Sequence, residues 1–204
     1  MNVFNESWRE KWTEASALEE VRKAFAQEEG REPLATIIWK QEKAIGFAWG
    51  FLTDVDHLIA ERDMPFSLPL ELKQEGLKKA KLWLIEVAKT SRVFLYREFG
   101  CLDEFKGRMA PHLTLEILRK VESKDIKVLL FWTSISSRVF DLGVGLKWAP
   151  IHFFTPAFND QNLLVMAGNV KYTADFIDVG LTNPQTVEDH YMEVVKNIEI
   201  YHCS

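Results

Sequence analysis

Residues 97–118, REFGCLDEFKGRMAPHLTLEIL, concentrate the side chains of this chain that could do chemistry. An apolar run carrying one carboxylate, Glu98, leads through a charged turn with a single glycine, Lys106-Gly107-Arg108, into an amphipathic segment. A strand, a glycine turn and a helix in that order can hold a phosphate. Successive backbone N–H groups converge on the anion, and the helix dipole favours it. Lys106 and Arg108 add long-range attraction. The same spacing also fits a solvated basic turn, and Met109 and Pro111 stand where a phosphate loop normally carries further glycines. A carboxylate on an apolar strand such as that of Glu98 is partly desolvated, which favours its protonated form. A salt bridge to a basic side chain on a facing element is the alternative use of Glu98.

Other chemistry is sparser. Asp54, Asp56 and His57 cluster after an apolar strand and could receive the charge of an amine, or simply cap a solvated loop. The five histidines (57, 112, 152, 190 and 202) have no ligand spacing, so no metal site is expected. Cys101 and Cys203 form no CxxC pair and read as two reduced thiols.

The elements that must position these residues follow from periodicity. Trp8, Trp12, Ala15, Leu18, Val21 and Phe25 recur at helical spacing up to Gly30, a candidate C-cap. LATIIWK (34–40) and KAIGFAWGFL (43–52) read as a hairpin turning at Gln41-Glu42. In the second strand Ile45, Phe47, Trp49 and Phe51 face one way. Gly46, Ala48 and Gly50 face the other and leave room for a backbone or ligand to lie close. Residues 53–68 are a polar connection with a helical turn. Residues 69–88 form a helix with a buried stripe of Leu70, Leu77, Ala80, Leu84, Val87 and Ala88, flanked by Trp83. Then come a β-run at 92–102, a helix at 110–121, an apolar strand at 126–133 and a serine-capped short helix within 134–146. Two strands at 150–155 and 162–169 and a closing helix at 186–198 complete the order. Pro111 is tolerated in a first helical turn, where its missing N–H has no partner. The strand–helix–strand unit at 92–133 implies a parallel, right-handed crossover. The expected fold is α/β: a mixed, mostly antiparallel twisted sheet with this central parallel unit and helices on both faces.

The order and the residues resemble the GNAT superfamily of acetyl-CoA-dependent N-acetyltransferases over roughly residues 34–155. The resemblance is carried by VFLYREFGCLDEFKGRMAPHLTLEIL followed by IKVLLFWTSISSRVFDLGVGL. It implies one domain over 1–204, with an insertion at 53–90 near the acceptor cleft. It also implies acyl transfer from acetyl-CoA, as co-substrate, to a primary amine, either a small molecule or a peptide amine. Glu98 matches the acidic strand residue and becomes the candidate general base. Lys106, Gly107, Arg108, Met109 and Ala110 match the phosphate loop, and Cys101 and Leu102 match the strand edge that holds the pantetheine arm through backbone groups. Where the family carries a proton-donating tyrosine, this chain has Phe140. Ser134, Ser136 and Tyr96 are the substitutes, Tyr96 because alternation puts it on the strand face of Glu98. The resemblance equally allows an acyl-CoA sensor or interaction module without turnover. Family members begin with a strand, for which only MNVFNE is present here.

Bulk properties narrow the partners. The 204 residues are 47% hydrophobic and carry a net charge of −5, which suits one core and argues against a nucleic-acid partner. The charged N-terminus lacks the apolar stretch of a signal peptide, and no run approaches the ~18 apolar residues of a membrane span. A cytoplasmic protein without a membrane partner is expected. Trp8 and Trp12 offer a contact for a homodimer.

Overall fold

The computed structural model describes residues 30–61, 81–105, 109–134, 137–158 and 161–183, with scattered positions at 13–26, 75–79 and 185–189. Among the described residues six strands form one sheet, lying side by side in the order Arg31–Lys40, Lys43–Asp54, Arg92–Cys101, Val128–Ser134, Gln161–Asn169, Ala149–Phe158. Strands β1 (Arg31–Lys40) and β2 (Lys43–Asp54) are the antiparallel hairpin expected from the alternation. Gln41 supplies the positive φ that the tight turn needs. A helix α1 (Val55–Glu61) follows, and a π-helical turn at Trp83–Val87 leads into β3 (Arg92–Cys101).

From β3 the chain passes through a 3-10 turn at Asp103–Phe105 into α2 (Met109–Glu122), then β4 (Val128–Ser134). β3 and β4 are parallel, the sheet's one parallel pair, with β2, β6 and β5 adding antiparallel neighbours. A short helix α3 (Arg138–Gly145) precedes β5 (Ala149–Phe158) and β6 (Gln161–Asn169), and α4 (Val170–Thr182) follows.

Two apolar layers flank the sheet. On one face Ala48, Leu52, Phe94, Tyr96, Leu129 and Phe131 meet Leu113, Ile117, Leu118 and Val121 of α2. Each of those helix residues is fully buried, and each contributes roughly 1.5–3 kcal/mol relative to exposure. On the other face Phe51, Val93, Leu95 and Leu130 meet Val55 and Leu58 of α1 and Leu84 of the π-helical turn. The mixed sheet with helices on both faces is the architecture the sequence implies.

Three expectations need correction. The small residues Gly46, Ala48 and Gly50 do share a face, but the protein's own core fills it. A Cβ on Gly50 would fall against the Leu95 carbonyl oxygen and 2.8 Å from the Phe94 ring, and one on Gly46 would lie 3.0 Å from Leu113. Val87 is 65% exposed rather than buried, because the wider π-helical winding rotates it off the stripe that Leu84 occupies. Helix α4 was not foreseen. Asn169 caps it by accepting a hydrogen bond from the Tyr172 backbone N–H at 2.8 Å, and Val170, Thr173 and Ala174 bury one side against the core. Apart from Asp189, the closing helix expected at 186–198 lies outside the described residues, as do the opening residues MNVFNE, Trp8, Trp12, Leu70, Leu77 and Ala80.

Candidate functional site

The crossover β3–α2–β4 opens a gap in the sheet. Parallel pairing runs only through Phe94↔Leu129, Leu95↔Leu130 and Tyr96↔Phe131, although β3 continues to Cys101 and β4 to Ser134. Beyond Tyr96 the two strands part, and β3 keeps β2 as its sole sheet neighbour.

The divergence starts at a β-bulge. Trp49 pairs with Glu98 while the next residue, Gly50, pairs with Tyr96, so Arg97 is the extra residue. One inserted residue inverts the alternation, and this overturns the expected shared face of Tyr96 and Glu98. Phe94, Tyr96 and Phe99 pack on the α2 side, where Tyr96 stacks on Phe99 at 6.1 Å. Glu98 points the opposite way and accepts a hydrogen bond from the Trp49 indole Nε1 at 3.1 Å. It is half-buried beside the aromatic surface of Trp49, which itself packs on the second layer.

The Tyr96 hydroxyl bonds to Thr114 Oγ1 of α2 at 3.1 Å. Burial pushes the phenol well above its ordinary pKa, with the Thr114 hydrogen bond opposing weakly. A group so buried and so weakly acidic does not suit proton donation on the far face.

At the edge expected to hold the pantetheine arm, the two backbone positions separate. The Leu102 N–H donates to the Ile45 carbonyl at 3.0 Å and its carbonyl accepts from Phe105, so Leu102 is committed to the protein. Successive strand residues direct their backbone groups to opposite edges, which turns those of Cys101 away from β2. Lys106, Gly107 and Arg108 lie outside the described residues. Immediately after them, Met109 and Ala110 open α2, and Met109 tucks against the core rather than over the helix end. Pro111 falls in the first turn, as expected. That turn holds no acidic residue, so nothing within it offsets the positive end of the helix dipole.

Ser134 ends β4 opposite Leu163, and Ser136 lies outside the described residues. Ser137 immediately precedes α3. Its hydroxyl accepts from the Phe140 N–H at 3.3 Å, capping α3, and it shares a 2.7 Å hydrogen bond with buried Thr133. Phe140 packs against the core. Asp54 and Asp56 are engaged at the opposite end of β3, with Arg92 and Lys81 respectively. Among the described residues no group of three His, Cys, Asp or Glu side chains is arranged to hold a metal ion. No helix among them is long and apolar enough to cross a membrane.

Sequence reasoning missed the bulge at Arg97, the Trp49–Glu98 bond and the Ser137–Thr133 pair. The available signal was Gly50, because a glycine inside a strand often marks a bulge in its partner.

The central parallel unit, its antiparallel neighbours and helices on both faces are the features implied by the resemblance of residues 34–155. The fold is GNAT-like. No family model and no curated protein matches the chain. Among solved structures it is similar to an aminoglycoside 6′-acetyltransferase type Ii, with a TM-score of 0.49 and 14% identity over 83% of this chain and 86% of the other. It is also similar to the aminoglycoside 6′-N-acetyltransferase from Enterococcus faecium, with a TM-score of 0.45 and 13% identity over 83% and 87% of the two chains. A third is an arylalkylamine N-acetyltransferase 7 of the yellow fever mosquito, with a TM-score of 0.43 and 6% identity over 67% of this chain. This chain spans 64% of that protein's length. The reading of the site rests on this chain's own residues.

Proposed function

We propose that this chain transfers an acyl group from coenzyme A to a primary amine, with Glu98 as general base. The observation that carries the reading is the gap between β3 and β4 beyond Tyr96/Phe131. It is flanked on one side by the first turn of α2, which holds no acidic residue, and on the other by Glu98. A slender acyl-thioester arm would lie between the strands where they have parted. Its diphosphate would lie toward Lys106, Gly107, Arg108 and the first turn of α2. Pro111 removes one donor there, and Met109 packs, partly buried, against the core.

Glu98 removes a proton from the substrate ammonium, directly or through water. The neutral nitrogen then attacks the thioester carbonyl and a C–N bond forms; the C–S bond breaks to release the thiolate, and the second proton lost by the nitrogen neutralises that thiolate through solvent or a relaying serine hydroxyl at the α3 end of β4. Ser134 and Ser136 remain the candidates for that last step, and Tyr96 is left out for the reasons of face and burial.

The alternative, an acyl-CoA sensor without turnover, is favoured by one observation: Phe140 stands where a donor is expected and has no proton to give. Two measurements separate the readings. Acetyl-CoA at millimolar concentration raises the melting temperature under both, and free thiol appears with an amine only under the first. Absence of any stabilisation overturns both.

A further inference from the structure

On the Glu98 side of the sheet the aromatic rings form a graded series. Phe51 is buried at 3% exposure, Trp49 is half-buried 6.5 Å from it, and Phe25 lies 6.0 Å beyond Trp49 at 42% exposure. Core packing accounts for Phe51 but not for a large aromatic left open at the outer end. Phe47 extends the surface along β2, and its ring lies across Gly100, where a Cβ would come within 2.9 Å of it. The series already holds one cation: the Arg31 guanidinium sits over the Phe51 ring, 4.7 Å from its centroid. Glu98 is tethered to the middle ring through the Trp49 indole N–H. A carboxylate held beside a run of tilted aromatic rings is the chemistry that recognises an organic ammonium attached to a flat apolar body.

We propose that the acceptor is an amine bearing an aromatic ring, its ammonium on Glu98 and its ring against Phe25 and Trp49. This rests on the acyl-transfer reading for its catalytic meaning, but the recognition itself is a binding property and is tested as one. Calorimetric titration of the full-length protein, with and without saturating coenzyme A, compares 2-phenylethylamine with 2-cyclohexylethylamine and n-butylamine at equal charge. The expected result is phenylethylamine binding about 5- to 10-fold tighter than its saturated counterpart. The ratio should fall toward one in Phe25→Leu and persist in Phe25→Tyr. Because Phe25 is exposed, both variants are expected to fold, and their melting temperatures check this. Equal affinity for the phenyl and cyclohexyl amines overturns the proposal, as does a ratio that Phe25→Leu leaves unmoved. Thiol release from acetyl-CoA is scored separately. Aromatic selectivity in binding without thiol release keeps this inference and removes acyl transfer. Thiol release at equal kcat/KM for all three amines does the reverse.

Discussion

The two halves of β3 differ in everything but sequence continuity. Val93 to Tyr96 lie between β2 and β4, are all buried, and feed alternate side chains into both apolar layers. Arg97 to Cys101 begin with a bulge and pair with β2 alone, with no partner strand on the β4 side. The first half is a stability element. The second gives up sheet hydrogen bonds, and such local concessions are where sites form. The bulge is the hinge between these roles, because it reverses which way every later side chain points.

The most severe break of the second half is Glu98→Gln. It should lower kcat/KM about 100-fold or more through loss of the base, while the melting temperature stays near wild type. A normal turnover rate would remove Glu98 from catalysis. Next in size is Gly50→Ala, which attacks the junction itself. The added methyl meets the Leu95 carbonyl and the Phe94 ring, and urea unfolding should show a loss of about 2–3 kcal/mol. An unchanged midpoint would mean that the bulge is not held by close approach at Gly50.

Tyr96→Phe tests the first half. Removing the hydroxyl that meets Thr114 should cost about 1 kcal/mol of stability and leave turnover intact. A tenfold loss of turnover would return Tyr96 to the mechanism. The smallest effect concerns the helices beneath that half. Arg119 of α2 bridges Glu122, Asp175 and Asp178, and Lys171 of α4 bridges Glu122 and Asp175. These partners hold the Glu122 and Asp175 carboxyls below their ordinary pKa, Glu122 chiefly through Arg119 and Asp175 chiefly through Lys171. A depressed folded-state pKa contributes stability above the unfolded value, and that contribution disappears as pH falls through the folded one. The groups are solvent-exposed, so the effect is modest. The melting-temperature difference between wild type and Arg119→Met should therefore be small near neutrality and vanish in acid. A gap that persists in acid would assign the role of Arg119 to packing by its aliphatic stem.

Much of the frame was legible in the residues. Alternation in 43–52 marks β2 and its two faces, the apolar run 126–133 marks β4, and the stripe of Leu113, Ile117 and Val121 marks α2. These are local patterns whose periods match one element each. Helix α4 escaped because Val170, Tyr172 and Thr173 favour strands, and because its buried side is defined by contact with α2, which no local pattern reports. Val87 escaped because a π-helical turn has no period that the preceding helix announces.

For the candidate site the division is sharper. The sequence by itself determined the reagents, a lone carboxylate on an apolar strand ahead of a glycine turn and a helix, because residue type and order are one-dimensional facts. Only the tertiary structure decided their directions. A single extra residue at Arg97, recognisable only when β3 is laid against β2, sends Glu98 to the Trp49 face and leaves Tyr96 under α2. The physical reason is that strand alternation holds only while pairing is regular, and regularity belongs to two strands together.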